Sequence, residues 1–282
     1  MNKVKLYLGY AGFCYAKESH AIKGGKNKLI KFHALFGLIQ HPAKGWILYD
    51  TGYTERFYDA TATFPNSIYA ALTKVIVTAA DEVKHQLKKH GLEPYDIKHI
   101  IITHFHADHI SGLKDFKQAI IYCSKKAFEQ VNNIHPLLGF TKGILKSLLP
   151  EDIKTRTRFI EDECEQIPDK ILGVKYDLFN DQYIYITQLE GHAAGQIGVL
   201  ITTEKNSYFL IADACWLSKS FEQMILPSPV VKLFFNSWKD YKISLQKVHD
   251  YHTANPKTII VPTHCYKTTS TLVSCNNLVN EL

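Results

Sequence analysis

Several signals are missing from this sequence, and each absence excludes a class of protein. The 282 residues contain no apolar run of the roughly 18 residues that a membrane-spanning helix needs. The N-terminal residues 1–7 alternate between polar and apolar side chains, as in a strand, and lack the continuous apolar stretch of a signal peptide. We therefore expect a cytoplasmic protein without an integral membrane segment.

The sequence also lacks the motifs of disulfide-rich proteins, of C-x-x-C sites and of serine hydrolases. None of the six cysteines has C-x-x-C spacing, and in a chain of this size they form no disulfide framework. Reduced, buried thiols are expected at Cys14, Cys123, Cys164, Cys215, Cys265 and Cys275. The G-x-S-x-G sequence of serine hydrolases is also absent.

Charge gives little indication of a polyanionic partner. The net charge of +6 is spread along the chain, and its densest basic patch, residues 23–31, contains four lysines. No stripe of basic residues interleaved with aromatics follows, so we expect no nucleic-acid partner. No Gly/Ser-rich linker divides the chain, and 46% of it is hydrophobic. We predict one domain over residues 1–282, with an oligomeric state that the sequence leaves open.

Short apolar runs alternate with helical patterns, which predicts an α/β fold. One helix is expected from Thr78 to His90, with Thr78 and Asp81 in a capping arrangement, and another over Lys239–Thr253. The runs rich in Ile, Val, Tyr and Leu predict nine strands: Val4–Tyr10, Leu35–Gln40, Trp46–Tyr49, His99–Thr103, Ala119–Tyr122, Tyr183–Thr187, Ile197–Thr202, Tyr208–Ala212 and Thr258–Pro262.

Residues 134–164 fit this alternation least well. Leucines and isoleucines recur at helical spacing from Leu137 to Leu149, and a charged run follows. We predict a helical insert that either covers the core or forms a lid whose apolar face contacts an apolar substrate. The same insert could equally serve as a dimer contact.

The most informative segment is 103–109, THFHADH, which follows the apolar run 100–102. His104 and His106 stand two residues apart, so in extended backbone both imidazoles point the same way. Asp108 and His109 follow in the loop that opens the next helix. Four metal-binding side chains in six positions predict a metal site, and one segment can supply ligands to two metals.

Three further candidate ligands follow predicted strands. His192, Asp213 and His264 each come at or just after the carboxyl end of a strand. Sheets covered by helices gather functional groups at one edge, so we expect these residues to converge with His104 and its neighbours. Asp50 has the same placement and is interpreted as a carboxylate that holds a ligand imidazole.

With these residues in place, the chain resembles the metallo-β-lactamase fold superfamily of dinuclear metallohydrolases. The H-x-H-x-D-H signature matches residues 104–109, and the later His, Asp and His match in order. The resemblance implies a four-layer αββα sandwich. It also implies one metal on His104, His106 and His192, a second on Asp108, His109 and His264, and Asp213 bridging both.

The expected chemistry is metal-assisted hydrolysis. Imidazole and carboxylate ligands without thiolate suit zinc best, with iron, manganese or cobalt as alternatives. Two such cations about 3.5–4 Å apart make a bridging hydroxide near neutral pH. That hydroxide would attack a carbonyl of a small-molecule substrate, an acylated lactone or a thioester. Asp108 and Trp216 are the candidate catalytic residues.

Within the superfamily, the chain most resembles the N-acyl homoserine lactonases. The likeness lies in chain length and in three short motifs, Asp50-Thr51-Gly52, Gly91-Leu92-Glu93-Pro94 and Ile211-Ala212-Asp213-Ala214. The chain departs from the pattern of these lactonases at Trp216, where they usually have a tyrosine that contacts the substrate carbonyl. An indole N–H donates a hydrogen bond but is no phenolic acid. Residues 13–15 and 32–36 are candidate walls for an acyl chain.

Proteins of the same fold also have other activities, which would require other sequence features. A glyoxalase II-like thioesterase, or another carboxylic ester hydrolase, would keep every metal ligand and remains the alternative. A diiron oxidoreductase would have a carboxylate in place of His106 and a fused flavin domain. A non-catalytic sensor would have lost ligands, whereas all seven are present.

Overall fold

Two β-sheets form the centre of the fold. The structure is a computed structural model that describes residues 4–273. The first sheet has the strand order β4-β1-β2-β3-β5-β6-β7 and the second the order β13-β12-β11-β10-β9-β8. Their bounds are β1 Lys5–Lys17, β2 Leu29–His41, β3 Gly45–Tyr49, β4 Val75–Ile76, β5 Ile97–Ile101, β6 Ile120–Cys123, β7 Thr157–Phe159, β8 Glu165–Asp169, β9 Gly173–Asp177, β10 Ile184–Gln188, β11 Ile197–Thr202, β12 Ser207–Leu210 and β13 Thr258–Val261.

Helices cover the outer faces of both sheets. The α-helices are α1 Glu18–Ala21, α2 Arg56–Ala60, α3 Ser67–Leu72, α4 Val83–Lys88, α5 Ala107–Ile110, α6 Lys125–Asn133, α7 Ile153–Arg156, α8 Ile160–Glu163, α9 Ser218–Gln223, α10 Trp238–Ala254 and α11 Tyr266–Leu272. Within residues 4–273, six 3₁₀ helices occupy Ala79–Asp81, Pro94–Asp96, Leu113–Asp115, Pro136–Lys142, Lys146–Leu148 and Pro229–Phe234. None of the helices in the described range is long and apolar enough to cross a membrane.

The core has three layers of apolar contact. Leu8 and Leu35 of the first sheet pack with Ile186 of the second between the two sheets. A separate cluster fills the space between the first sheet and its helices, and another lies between the second sheet and α9 and α10. This arrangement confirms the predicted four-layer αββα sandwich.

Both sheets are mixed, and their parallel parts position the site. Strands β3, β5, β6 and β7 run parallel to one another, and β12 runs parallel to β13. The carboxyl ends of β3, β5, β12 and β13 are followed by Asp50, residues 103–109, Asp213 and His264.

All nine predicted strands are present, and the sequence missed β4, β7, β8 and β9. The helix predicted from Lys239 is confirmed as α10. The predicted Thr78–His90 helix is divided, because Thr78 and Asp81 form a capping box on the 3₁₀ helix Ala79–Asp81 and α4 begins only at Val83. The five cysteines within the described residues are buried and free, whereas Cys275 lies outside them.

Residues 134–164 contain the stretch from Leu137 to Leu149, whose spacing predicts a helix, but they do not form a continuous one. They form two 3₁₀ helices, then α7, β7 and α8. Pro136 and Pro150 lack the N–H that a helix interior uses, and Gly143 has a left-handed backbone with φ +69°. Leu145 and Leu148 are buried against the core.

Candidate metal centre

The segment 103–109 lies where the chain leaves β5. The backbone N–H of Thr103 donates to Asp50 Oδ1 at 2.9 Å, and its hydroxyl donates to Asp50 Oδ2 at 2.8 Å. These bonds fix the segment beside β3. Helix α5 then begins at Ala107, so Asp108 and His109 turn back toward the two preceding histidines.

Three imidazoles converge on one point. His104 Nε2 lies 3.1 Å from His106 Nδ1, which lies 3.0 Å from His192 Nε2. Burial, reinforced by His192, lowers the pKa of His106 to about 3, and burial lowers the pKa of His192 to about 4. Both rings are therefore neutral near pH 7, the form in which imidazole binds a metal.

A second group lies beside the first. Asp108 Oδ2 is 3.4 Å from His109 Nε2 and 3.3 Å from His264 Nε2. Burial alone would raise the pKa of Asp108, but His109 and then His264 outweigh it and lower that pKa to about 2. Asp108 is therefore a carboxylate at neutral pH and is available as a ligand.

Asp213 lies between the two groups. Its Oδ2 atom is 3.2 Å from His192 Nε2 and 3.1 Å from His264 Nε2, and its Oδ1 atom is 3.8 Å from His109 Nε2. One carboxylate thus contacts a histidine of the first group and two of the second. The structure brings all seven predicted ligand residues together.

The donor set fits divalent metal ions. Sets of three donor atoms in this cluster lie within 4.8 Å of one another: His104, His106 and His192; His104, His109 and Asp213; Asp108, His109 and His264. Within the described residues, the buried atoms His109 Nε2 and Asp213 Oδ1 have no hydrogen-bond partner. Because leaving a buried polar atom unpaired is costly, these atoms fit a site that binds a cation.

The ring nitrogens that face away from the cluster are held by other groups. His109 Nδ1 donates to Asp50 Oδ2 at 2.7 Å, and His264 Nδ1 donates to the carbonyl of His33 at 2.9 Å. Such bonds fix the tautomer and orientation of a metal-binding imidazole. Asp50 therefore lies where the sequence predicts, in contact with His109.

The backbone is constrained at this edge. Asp50 has φ +52°, and Ala212, directly before Asp213, has φ +49°. Residues other than glycine rarely adopt this left-handed region, and when they do they cluster at functional sites.

Trp216 contacts the cluster directly. Its Nε1–H donates to Asp213 Oδ2 at 3.1 Å, and its ring centroid lies 5.8 Å from that of His192. Phe32, from one of the predicted wall segments, lies 5.6 Å from Trp216 and stacks on His264 at 4.8 Å. Trp216 therefore both supports a carboxylate and lines the site.

Sequence reasoning missed other residues at the centre. The ring of Phe235 lies 5.2 Å from that of His192 and 5.4 Å from Trp216. Gly143 lies so close to His106 that a Cβ on it would be 2.8 Å from His106 Cδ2. No spacing rule links residues so distant in sequence, although Gly143, a glycine within the predicted insert 134–164, was a readable signal.

Known proteins resemble this chain in sequence. Residues 32–201 match the sequence model of the Metallo-beta-lactamase superfamily. The N-acyl homoserine lactonase AiiA of Bacillus thuringiensis subsp. kurstaki is 27% identical over 229 residues, covering 80% of this chain and 81% of AiiA. The N-acyl homoserine lactonase AttM of Agrobacterium fabrum is 23% identical over 266 residues, covering 92% and 93% of the two chains.

Solved structures share the fold. A variant of B. thuringiensis AiiA with N-decanoyl-L-homoserine bound at its active site superimposes with a TM-score of 0.76, at 20% identity and full coverage of both chains. An N-acyl homoserine lactone hydrolase with N-hexanoyl-L-homoserine at its catalytic metal centre gives 0.75, at 21% identity and full coverage of both chains.

Proposed function

This chain belongs to the metallo-beta-lactamase superfamily, and we propose that it is a dinuclear zinc hydrolase that opens the lactone ring of N-acyl homoserine lactones. The observation that carries the proposal is the position of Asp213, whose carboxylate lies between a group of three imidazoles and a group of two imidazoles and a carboxylate. The names of the sequence relatives supply the substrate class.

In this proposal one zinc is held by His104, His106 and His192, and the other by Asp108, His109 and His264, with Asp213 shared. When bound, the pair would activate water near neutral pH and polarise the substrate carbonyl. The imidazole and carboxylate donors suit zinc, with iron, manganese or cobalt as alternatives.

Asp108 has the position of a proton carrier. One oxygen contacts His109 and His264, and the side chain keeps 10% of its surface exposed. During hydrolysis a water oxygen bonds to the lactone carbonyl carbon, and the ring C–O bond breaks. A proton from that water is carried by Asp108 to the departing ring oxygen, which becomes the homoserine hydroxyl.

The aromatic residues would position the substrate. Trp216 keeps Asp213 in place through its N–H, and Phe32 and Phe235 line the site beside it. A lactonase of this kind would inactivate acylated bacterial signals, a quorum-quenching role. We retain a cytoplasmic location as a prediction.

The test is a comparison of substrates on the zinc-loaded protein. We expect kcat/KM for N-decanoyl homoserine lactone to exceed that for S-lactoylglutathione and for a simple aryl ester by at least about tenfold, a difference of about 1.4 kcal/mol in transition-state binding. A preference for the thioester would replace the lactonase proposal with the glyoxalase II-like alternative, and a preference for the aryl ester would indicate a general esterase.

A further inference from the structure

Exposed apolar side chains are concentrated in three segments, 61–80, 131–150 and 223–239, which we call the rim. The described residues expose fifteen large hydrophobic side chains, and nine of them belong to the rim. They are Phe64, Ile68, Leu72, Ile76, Leu137, Leu138, Val230, Leu233 and Phe234. Single exposed apolar residues need no explanation, but such a concentration marks an interaction surface.

The rim surrounds the metal centre. Gly143 of the second segment lies against His106, and Phe235 of the third lies against His192. The first segment contributes α3, which contacts the 3₁₀ helix Pro136–Lys142. Next to the rim, Gln130 Nε2 donates to Asn236 Oδ1 at 3.2 Å and joins α6 to the third segment. The three segments therefore lie at the same edge of the sandwich as the site.

The charge of the rim has one sign. Its three segments contain five lysines and no aspartate or glutamate, in a chain that has 27 acidic residues. The lysines are Lys74, Lys142, Lys146, Lys232 and Lys239. Lys232, the most central in its apolar segment, is exposed and lies over the Trp238 ring at 5.1 Å. Acidic residues begin only where the segments end, at Asp81, Glu151, Glu222 and Asp240. Apolar side chains interspersed with lysines are typical of surfaces that bind anionic lipid headgroups.

We propose that the rim docks the protein onto an anionic lipid bilayer. Leu233 and Phe234, which are 81% and 52% exposed, would enter the interface, and the lysines would contact the headgroups. A second copy of this chain fits less well. A symmetric dimer through this surface would bring two sets of lysines together, and lysine is depleted at protein interfaces.

Docking does not depend on the proposed activity. If the lactonase function also holds, an amphiphilic long-chain substrate would reach the site from the bilayer in which it is dissolved. This consequence rests on the proposed function, whereas the binding test below does not.

The test is co-flotation of the full-length protein with phosphatidylcholine vesicles, with and without phosphatidylglycerol. We expect flotation only with the anionic vesicles, decreasing as salt is added. Lys232→Glu should weaken binding at least about fivefold, and Leu233→Ser combined with Phe234→Ser by about tenfold or more. The matched controls are Lys170→Glu and Tyr95→Ser, which change an exposed lysine and an exposed aromatic outside the rim and should bind like wild type.

Two results would overturn the proposal. One is flotation that is equal for the two vesicle types or unchanged in the rim variants. The other is a dimer in sedimentation equilibrium that the Leu233→Ser, Phe234→Ser variant dissociates, without lipid binding by wild type. The latter result would assign the rim to a second copy of the chain.

Discussion

Trp216 donates its indole N–H to Asp213 Oδ2 at 3.1 Å, so the residue three positions after the aspartate is coupled directly to the carboxylate that joins the two halves of the site. Asp213 Oδ2 also lies 3.1 Å from His264 Nε2. The N–H of Trp216 is therefore already bonded to the protein, so we expect the residue to contact a substrate through its ring.

Removing that donor should weaken the site without unfolding the protein. We expect Trp216→Phe to lower kcat/KM for the lactone by about tenfold or more, because a hydrogen bond to a charged group contributes about 1.5–3 kcal/mol. Trp216→Tyr should retain more activity, since its hydroxyl can donate to the carboxylate or the substrate. Steady-state kinetics on zinc-loaded variants decides this, and a fully active Trp216→Phe variant would show that the bond to Asp213 has no catalytic role.

Asp50 should control metal affinity through His109. Asp50→Asn weakens the acceptor at His109 Nδ1, and we expect metal to be bound about 10–100-fold more weakly. Competition with a chromophoric chelator measures this. Asp177→Asn is the matched control, because Asp177 is equally buried and hydrogen-bonded but lies away from the cluster. Equal metal affinities of the Asp50→Asn and Asp177→Asn variants would show that Asp50 does not control metal binding through His109.

Gly143 should be needed for the position of His106. A Cβ there would lie 2.8 Å from His106 Cδ2, so Gly143→Ala must move the ring or the segment. Gly91→Ala is the control: Gly91 has a similar φ of +71° but open space around its Cβ position. Both variants should lose about 1–2 kcal/mol of stability from the left-handed backbone. Only Gly143→Ala should also lose turnover, by about tenfold, and equal turnover in the two variants would refute this.

His99 should make the fold less stable as the pH falls. Burial, with a smaller effect of Lys44, lowers its pKa from 6.5 to about 4, and its Nδ1 atom has no partner within the described residues. Because the folded pKa is below the unfolded one, stability is fully present above pH 6.5 and decreases as the pH falls toward 4.

His99→Phe keeps the packing on Tyr122 and Phe179 but cannot be protonated. When the pH is lowered from 7 to 5, the free energy of unfolding of this variant should rise relative to that of wild type by at most about 2 kcal/mol. Urea unfolding at the two pH values measures the gain. An identical pH dependence of the two proteins would show that His99 does not titrate in this range.

The sequence predicts the metal centre better than its surroundings. His104 and His106 could be read because local spacing places them on one side of an extended segment, and Asp213 because it follows an apolar strand. Phe235 and Gly143 reach the site through tertiary packing, which leaves no periodic signal. The strand β8 was missed because Glu165 and Gln166 are exposed, so the segment shows no alternation of buried and exposed residues.

The most direct test of the account is proton release measured at constant pH, with N-decanoyl homoserine lactone as the substrate. Ring opening leaves a carboxylate, so each turnover should release one proton. We predict turnover at enzymatic rates by the zinc-loaded protein, and its loss in His106→Ala and Asp108→Asn variants that remain folded by circular dichroism. Absence of proton release from a protein that binds two metal ions, or wild-type rates in either variant, would contradict the account.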